Sequence, residues 1–206
     1  MAVELEVLDL AIERGYQRIV EKFNLTANEG TIVHITGQNG SGKSSILRTI
    51  AGLAPTYEGS IKWWGNPVDS TPSYTNYVNF IGHLTGLSPE LTGGENLAYC
   101  LKLSSLKKRA MEITQALSML KARNLISKPV RYLSAGEKQK LVLARLLLFD
   151  CPLWILDEPF NSLDGETRKK LETIINQHAK NGGIILMTSH QSFQTINSPQ
   201  IISLGR

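Results

Sequence analysis

The chain has 206 residues, with 22 Lys and Arg against 18 Asp and Glu for a net charge of +4, 42% hydrophobic residues and 17 glycines. That balance excludes a disordered, collagenous or disulfide-stapled protein and fits one globular domain, which at this length buries roughly 70% of its unfolded surface without metal or disulfide support. Cys100 and Cys151 form no redox or zinc spacing and read as reduced thiols of a cytosolic protein.

The acidic start, Met1 to Glu6, lacks the basic-then-apolar pattern of an export signal, and the first strand is expected over 3–12. A second follows at 31–36, where Ile32-Val33-His34-Ile35 runs into a glycine loop and a helix over 43–52. Strands at 59–64 and 77–83 come next, then helices at 94–103, 109–121 and 135–149. The stretch 109–121 places Ile113, Ala116, Leu117 and Leu120 at three-and-four spacing. Leu141 to Phe149 is the most apolar run, but Arg145 breaks it and it falls far short of the ~20 residues that span a bilayer. A strand at 152–157, a helix at 165–179 and strands at 183–189 and 200–204 complete the chain. Apolar runs such as Leu153 to Leu156 suit a parallel sheet covered on both faces, so the fold class is α/β. Residues 86–133 lack a strand pattern and read as a helical lobe inserted in a core of about 1–85 and 134–206. The densest basic cluster, Lys107-Lys108-Arg109 with Lys121 and Arg123 beyond, reads as a solvated helix face or, alternatively, as a surface for an acidic partner or lipid headgroup.

Chemistry enters at Gly37-Gln38-Asn39-Gly40-Ser41-Gly42-Lys43-Ser44, which fits G-x-x-x-x-G-K-[ST] between an expected strand and helix. Glycines let successive backbone N–H groups turn inward toward phosphate oxygens, and the helix N-terminus adds its positive dipole end. In that pattern Lys43 reaches the outer phosphates, and the Ser44 hydroxyl ligates Mg²⁺. Ser45 follows within the same turn. The apolar run Leu153 to Leu156 then ends in Asp157 and Glu158. A carboxylate at the C-terminal edge of a parallel sheet stands beside such a loop, so Asp157 is expected to hold Mg²⁺ and Glu158 to polarise an attacking water.

With Leu133-Ser134-Ala135-Gly136-Glu137 ahead of this strand, the chain resembles the nucleotide-binding domain of ABC-type ATPases, whose signature has the form L-S-G-G-Q. The stretch Glu158 to Asp164 is similar to that family's D-loop, and Thr188-Ser189-His190 to its switch histidine. The resemblance covers nearly the whole chain. It implies a P-loop NTPase fold with an N-terminal β-rich portion, and ATP and Mg²⁺ as ligands. Two copies would pair head to tail, each ATP lying between the phosphate loop of one and Ser134, Ala135, Gly136 and Glu137 of the other. His190 would join Glu158 and Lys43 in catalysis. His83 stands where the family has a glutamine, and is read either as a further metal contact or as a loop residue coupling the two lobes. Tyr16 stands near the family's adenine-stacking aromatic, although Arg14 fills the expected register.

Phe80-Ile81-Gly82-His83, Leu91 to Leu97 and Leu153 to Phe160 also resemble the haem-exporter ATPases of bacterial cytochrome c maturation. This implies a peripheral subunit on the cytoplasmic face of the inner membrane, working with CcmB-like and CcmC-like membrane subunits. No residue pattern points to haem or nucleic acid binding by the chain itself. The alternatives are the motor of another small ABC exporter and a soluble ABC ATPase.

Overall fold

The computed structural model describes residues 4–15, 17–71, 73–104 and 109–205. Two sheets organise it. Strands β1 (Leu5–Arg14), β2 (Gln17–Ala27), β4 (Glu58–Trp63) and β5 (Asn66–Pro67) form an antiparallel sheet in the order β2-β1-β4-β5. Strands β3 (Ile32–Gly37), β6 (Val78–Ile81), β7 (Leu153–Asp157), β8 (Ile184–Thr188) and β9 (Gln200–Leu204) form a wholly parallel sheet in the order β6-β7-β8-β3-β9. Helices α1 (Lys43–Ile50), α2 (Gly93–Leu103), α3 (Ile113–Met119), α4 (Ala135–Leu148) and α5 (Gly165–Lys180) surround the parallel sheet.

Every residue of β7 and β8 is buried, which is why these strands read as unbroken apolar runs. Alternate side chains serve two separate cores. Leu153, Ile155, Ile184 and Leu186 meet Ile46, Leu47 and Ile50 of α1 and the inner face of the antiparallel sheet. Trp154, Leu156, Ile185 and Met187 point the other way, into a core built with α2, α3, α4 and α5. At roughly 25 cal/mol per Å² of apolar surface, each fully buried Leu or Ile contributes about 1.5–3 kcal/mol of transfer free energy. Because all five strands run in one direction, the ends of β3, β6, β7 and β8 come out on the same edge of the sheet.

Several elements differ from the sequence expectation. β2 was not expected: its inward alternation at Phe23, Leu25 and Ala27 is interrupted before Val20, where Lys22 has a φ of 49° and the register against β1 shifts. The helix expected over 109–121 begins only at Ile113, because Arg109 pairs with Phe149 as a β-bridge and the Ala110 amide donates to the Leu148 carbonyl at 3.0 Å. The strand expected over 77–83 stops at Ile81, before Gly82.

Lys107 and Lys108 of the basic cluster lie outside the described residues. Arg109 pairs with Glu112 and Lys121 with Glu166, as on a solvated surface. Cys100 and Cys151 are not joined in a disulfide. No helix among the described residues is long and apolar enough to cross a membrane.

Candidate active site

The turn from β3 into α1 is shaped by glycines that cannot be replaced cheaply. Gly40 and Gly42 have φ of 83° and 95°, and a Cβ on Gly42 would lie 2.5 Å from Val20 Cγ2. One on Gly37 would stand 2.8 Å from Ser41 Oγ and 2.9 Å from the Leu204 carbonyl. No side chain caps α1 and no acid occupies its first turn, so the positive end of the helix is open. The Lys43 ammonium folds back over the loop and donates to the carbonyls of Gly37 at 2.8 Å and Gln38 at 2.9 Å. Ser41 Oγ is buried without a partner among the described residues.

This loop forms one wall of a cleft of about 490 Å³. Asn39, Gly40, Gly42, Lys43, Ser44 and Ser45 line it from the loop side, and His83, Asp157, Glu158, Asn161 and His190 from the adjacent strand ends. Gln38 and Gly37 contribute backbone carbonyls to Lys43 rather than lining the cleft.

The acidic side is a connected network. Asp157 is only 7% exposed, and its Oδ1 accepts from the Thr188 hydroxyl at 2.7 Å. That hydroxyl oxygen in turn accepts from the Glu158 amide at 3.0 Å. Glu158 has a φ of 53°, a left-handed conformation that is uncommon outside glycine and turns the chain sharply at the strand end. Its Oε2 accepts from the His190 amide at 3.2 Å, and its Oε1 lies 3.5 Å from His190 Nε2. His190 Nε2 is also 3.1 Å from Asn39 Oδ1, which ties the end of β8 to the loop after β3. Oxygen donors from Ser44 and Asp157 face the same cleft. Among the described residues no group of three or more His, Cys, Asp or Glu could hold a metal. Magnesium takes few protein oxygens and fills its octahedron with phosphate and water, so this sparse donor set fits an Mg²⁺ that arrives with a nucleotide. His83 is exposed in the cleft, and its nitrogen is a poorer match to that hard cation.

Ser134, Ala135, Gly136, Glu137 and Asp164 do not line the cleft. Ser134 caps α4 in a reciprocal box: Glu137's amide donates to Ser134 Oγ at 3.2 Å, and Ser134's amide to Glu137 Oε2 at 3.0 Å. The bond from the Ser134 amide holds the Glu137 carboxyl below the usual carboxylate range. Gly136 packs so closely that a Cβ there would meet the Ser162 carbonyl at 2.5 Å. Asp164 caps α5 through the Thr167 amide, and Lys140 at 2.8 Å is the main cause of its strongly lowered pKa. Tyr16 lies outside the described residues. Ile19 belongs to this region without having been singled out from the sequence, while Asn161 and Thr188 stood there only as members of the two motif stretches, with no role of their own. Ile19 sits on the unexpected β2, and the bridging place of Thr188 becomes visible only through the pairing Asp157↔Thr188.

Residues 20–161 match the family model described as ABC transporter. The chain therefore belongs to the ABC transporter family, in its ATP-binding subunit class. Within that class it is similar to proteins named "Cytochrome c biogenesis ATP-binding export protein CcmA". The protein of that name from Pasteurella multocida is 38% identical over 196 residues, covering 95% of this chain and 92% of the relative. The one from Vibrio parahaemolyticus is 39% identical over 204 residues, covering 98% and 99%. In structure, the ATP-binding cassette MJ0796, solved as a dimer bound to ADP and Pi, superposes with a TM-score of 0.79 at 22% identity, covering 91% of this chain and 88% of that one.

Proposed function

We propose that this chain is the ATP-hydrolysing subunit of a membrane export complex of the cytochrome c maturation type, the class in which its relatives are named. The observation that carries the ATPase reading is the convergence of Lys43, Ser44, Asp157, Glu158 and His190 on one cleft. Lys43 exchanges its two loop carbonyls for the outer phosphates, where a fixed positive charge offsets charge developing in the transition state. Glu158 accepts the proton of the attacking water, and His190, within 3.5 Å of that carboxylate, holds its orientation. Mg²⁺ held by Ser44 and Asp157 would neutralise phosphate charge. His83 serves as a loop contact at the edge of the cleft. Tyr16 is kept as a candidate for the adenine.

The signature residues stand outside the cleft, and this supports a site completed by a second copy. Gly37, Gln38, Asn39, Gly40, Ser41, Gly42, Lys43, Ser44 and Ser45 would bind ATP in one chain. Ser134, Ala135, Gly136 and Glu137 would close over it from the other, with Asp164 at the junction. The reading takes the 206 residues as one ATPase domain whose helical lobe spans about 86–133. This lobe and the neighbouring loop carry exposed Leu84, Tyr99 and Leu103, apolar groups suited to a membrane subunit. CcmB-like and CcmC-like subunits would hold the chain at the cytoplasmic face of the inner membrane. Affinity purification of the tagged chain from detergent-solubilised membranes tests this assignment. CcmB-like and CcmC-like proteins are expected in the eluate; recovery with an unrelated permease would overturn the haem-export reading and leave the ATPase reading standing.

A further inference from the structure

We propose that Thr188 is a positioning residue that sets the Mg²⁺-binding carboxylate and the water-activating carboxylate with one hydroxyl, an inference that rests on the ATPase reading above. The register Asp157↔Thr188 between parallel neighbours places the two residues opposite each other at the sheet edge. Thr188 is fully buried, so water does not compete for its hydroxyl. The single O–H is committed to Asp157 Oδ1 at 2.7 Å, and a lone pair takes the Glu158 amide at 3.0 Å. Asp157 Oδ2 has no donor among the described residues, which leaves that oxygen for the cleft.

The bond to Glu158 answers a second need. With a φ of 53°, the Glu158 peptide has left the ladder between β7 and β8, which ends at Asp157. Its part-buried amide takes its acceptor from elsewhere. The Thr188 hydroxyl supplies it and so holds the turn that sends the Glu158 side chain back to the His190 amide. A valine has the same shape but neither donor nor acceptor. It would leave both the carboxylate oxygen and the amide unpaired in a buried place, where the loss is largest.

The test is equilibrium binding of a fluorescent ATP analogue to the purified full-length chain, in EDTA and in a MgCl₂ titration. For Thr188→Val, the gain in affinity that Mg²⁺ confers should shrink by about ten-fold or more, since a hydrogen bond to a charged group is lost. Affinity in EDTA should match the unaltered chain, and Thr188→Ser should restore the Mg²⁺ gain. Thr188→Ala provides a second hydroxyl-free variant should the valine variant not fold. An unchanged Mg²⁺ gain in the hydroxyl-free variant overturns the proposal, as does an equal loss in EDTA or a serine variant that behaves like the valine one. If the unaltered chain binds no ATP analogue at all, the ATPase reading itself falls. If it binds with a Mg²⁺ gain that the hydroxyl-free variant shares, only the role of Thr188 falls.

Discussion

On the function proposed above, Lys43 is the residue on which phosphate recognition would turn. Its ammonium already donates to the carbonyls of Gly37 and Gln38, so it stands over the loop before any ligand enters. Lys43→Ala should lower ATP turnover at least about a hundred-fold, the scale of losing one preorganised charged donor. Near-full phosphate release by that variant would contradict the role given to the loop. At this scale much was legible in the chain itself, because G-x-x-x-x-G-K-S needs glycine at fixed positions: Gly37 and Gly42 occupy positive φ, and Gly42 lies against Val20. Thr188 was not legible as a bridge. A threonine ending an apolar run gives no sign of which neighbour it faces, and only the register of β7 against β8 brings it to Asp157. Ser134 and Glu137 stood out in the sequence by their resemblance to a signature; their reciprocal cap, in which removing the serine hydroxyl costs about 1 kcal/mol, adds that they also fix the start of α4.

Among the elements, α5 is tied to β7 by an aromatic stack. His178 lies flat on Trp154, with ring centroids 3.7 Å apart and planes inclined by 5°. Gly183 must remain glycine there, since a Cβ would fall 2.2 Å from His178 Nε2. Burial pushes the His178 pKa down to about 4, opposed in part by a hydrogen bond to the Pro152 carbonyl and by the charge of Asp150. Between that value and the ordinary 6.5, the unfolded chain binds a proton that the folded chain refuses. Stability therefore falls as pH drops from about 6.5 toward 4, by at most roughly 2–3 kcal/mol from this group. His178→Phe keeps a ring on Trp154 and removes the titration, so its melting temperature should decline less over that range. An identical decline in both proteins would remove His178 from the account. β7 was readable as an unbroken apolar run and α5 as a helical stretch ahead of the next strand, whereas β2 was not. Its bulge at Lys22 breaks the alternation on which strand recognition depends, and Arg18, Glu21 and Lys22 make the segment look like a polar connection. The first residues of the expected 109–121 helix were lost to a contact distant in sequence, the bridge from Arg109 to Phe149.

At the scale of the whole molecule, the two sheets and their cores place every group for phosphate chemistry on one edge and leave the capped N-terminus of α4 off it. Ser134 to Glu137 are exposed or half-buried, the packing of Gly136 against Ser162 fixes their position, and no cleft residue in the same chain uses them. A rigid surface held in place in this way is suited to meeting a second copy across a bound nucleotide, where the helix terminus would face phosphate. Mass action then links nucleotide to assembly, because ATP that fits only between two chains stabilises the pair. Hydrolysis would remove that link, so blocking it should preserve the dimer. Glu158→Gln keeps the shape of the side chain but cannot accept the proton, and should slow turnover by about a hundred-fold or more. The most direct measurement is therefore sedimentation velocity of the Glu158→Gln chain with and without Mg-ATP. The account predicts a species of 22.8 kDa without nucleotide and one of twice that mass with it. A chain that binds ATP and still sediments at the single-chain mass would contradict the shared site.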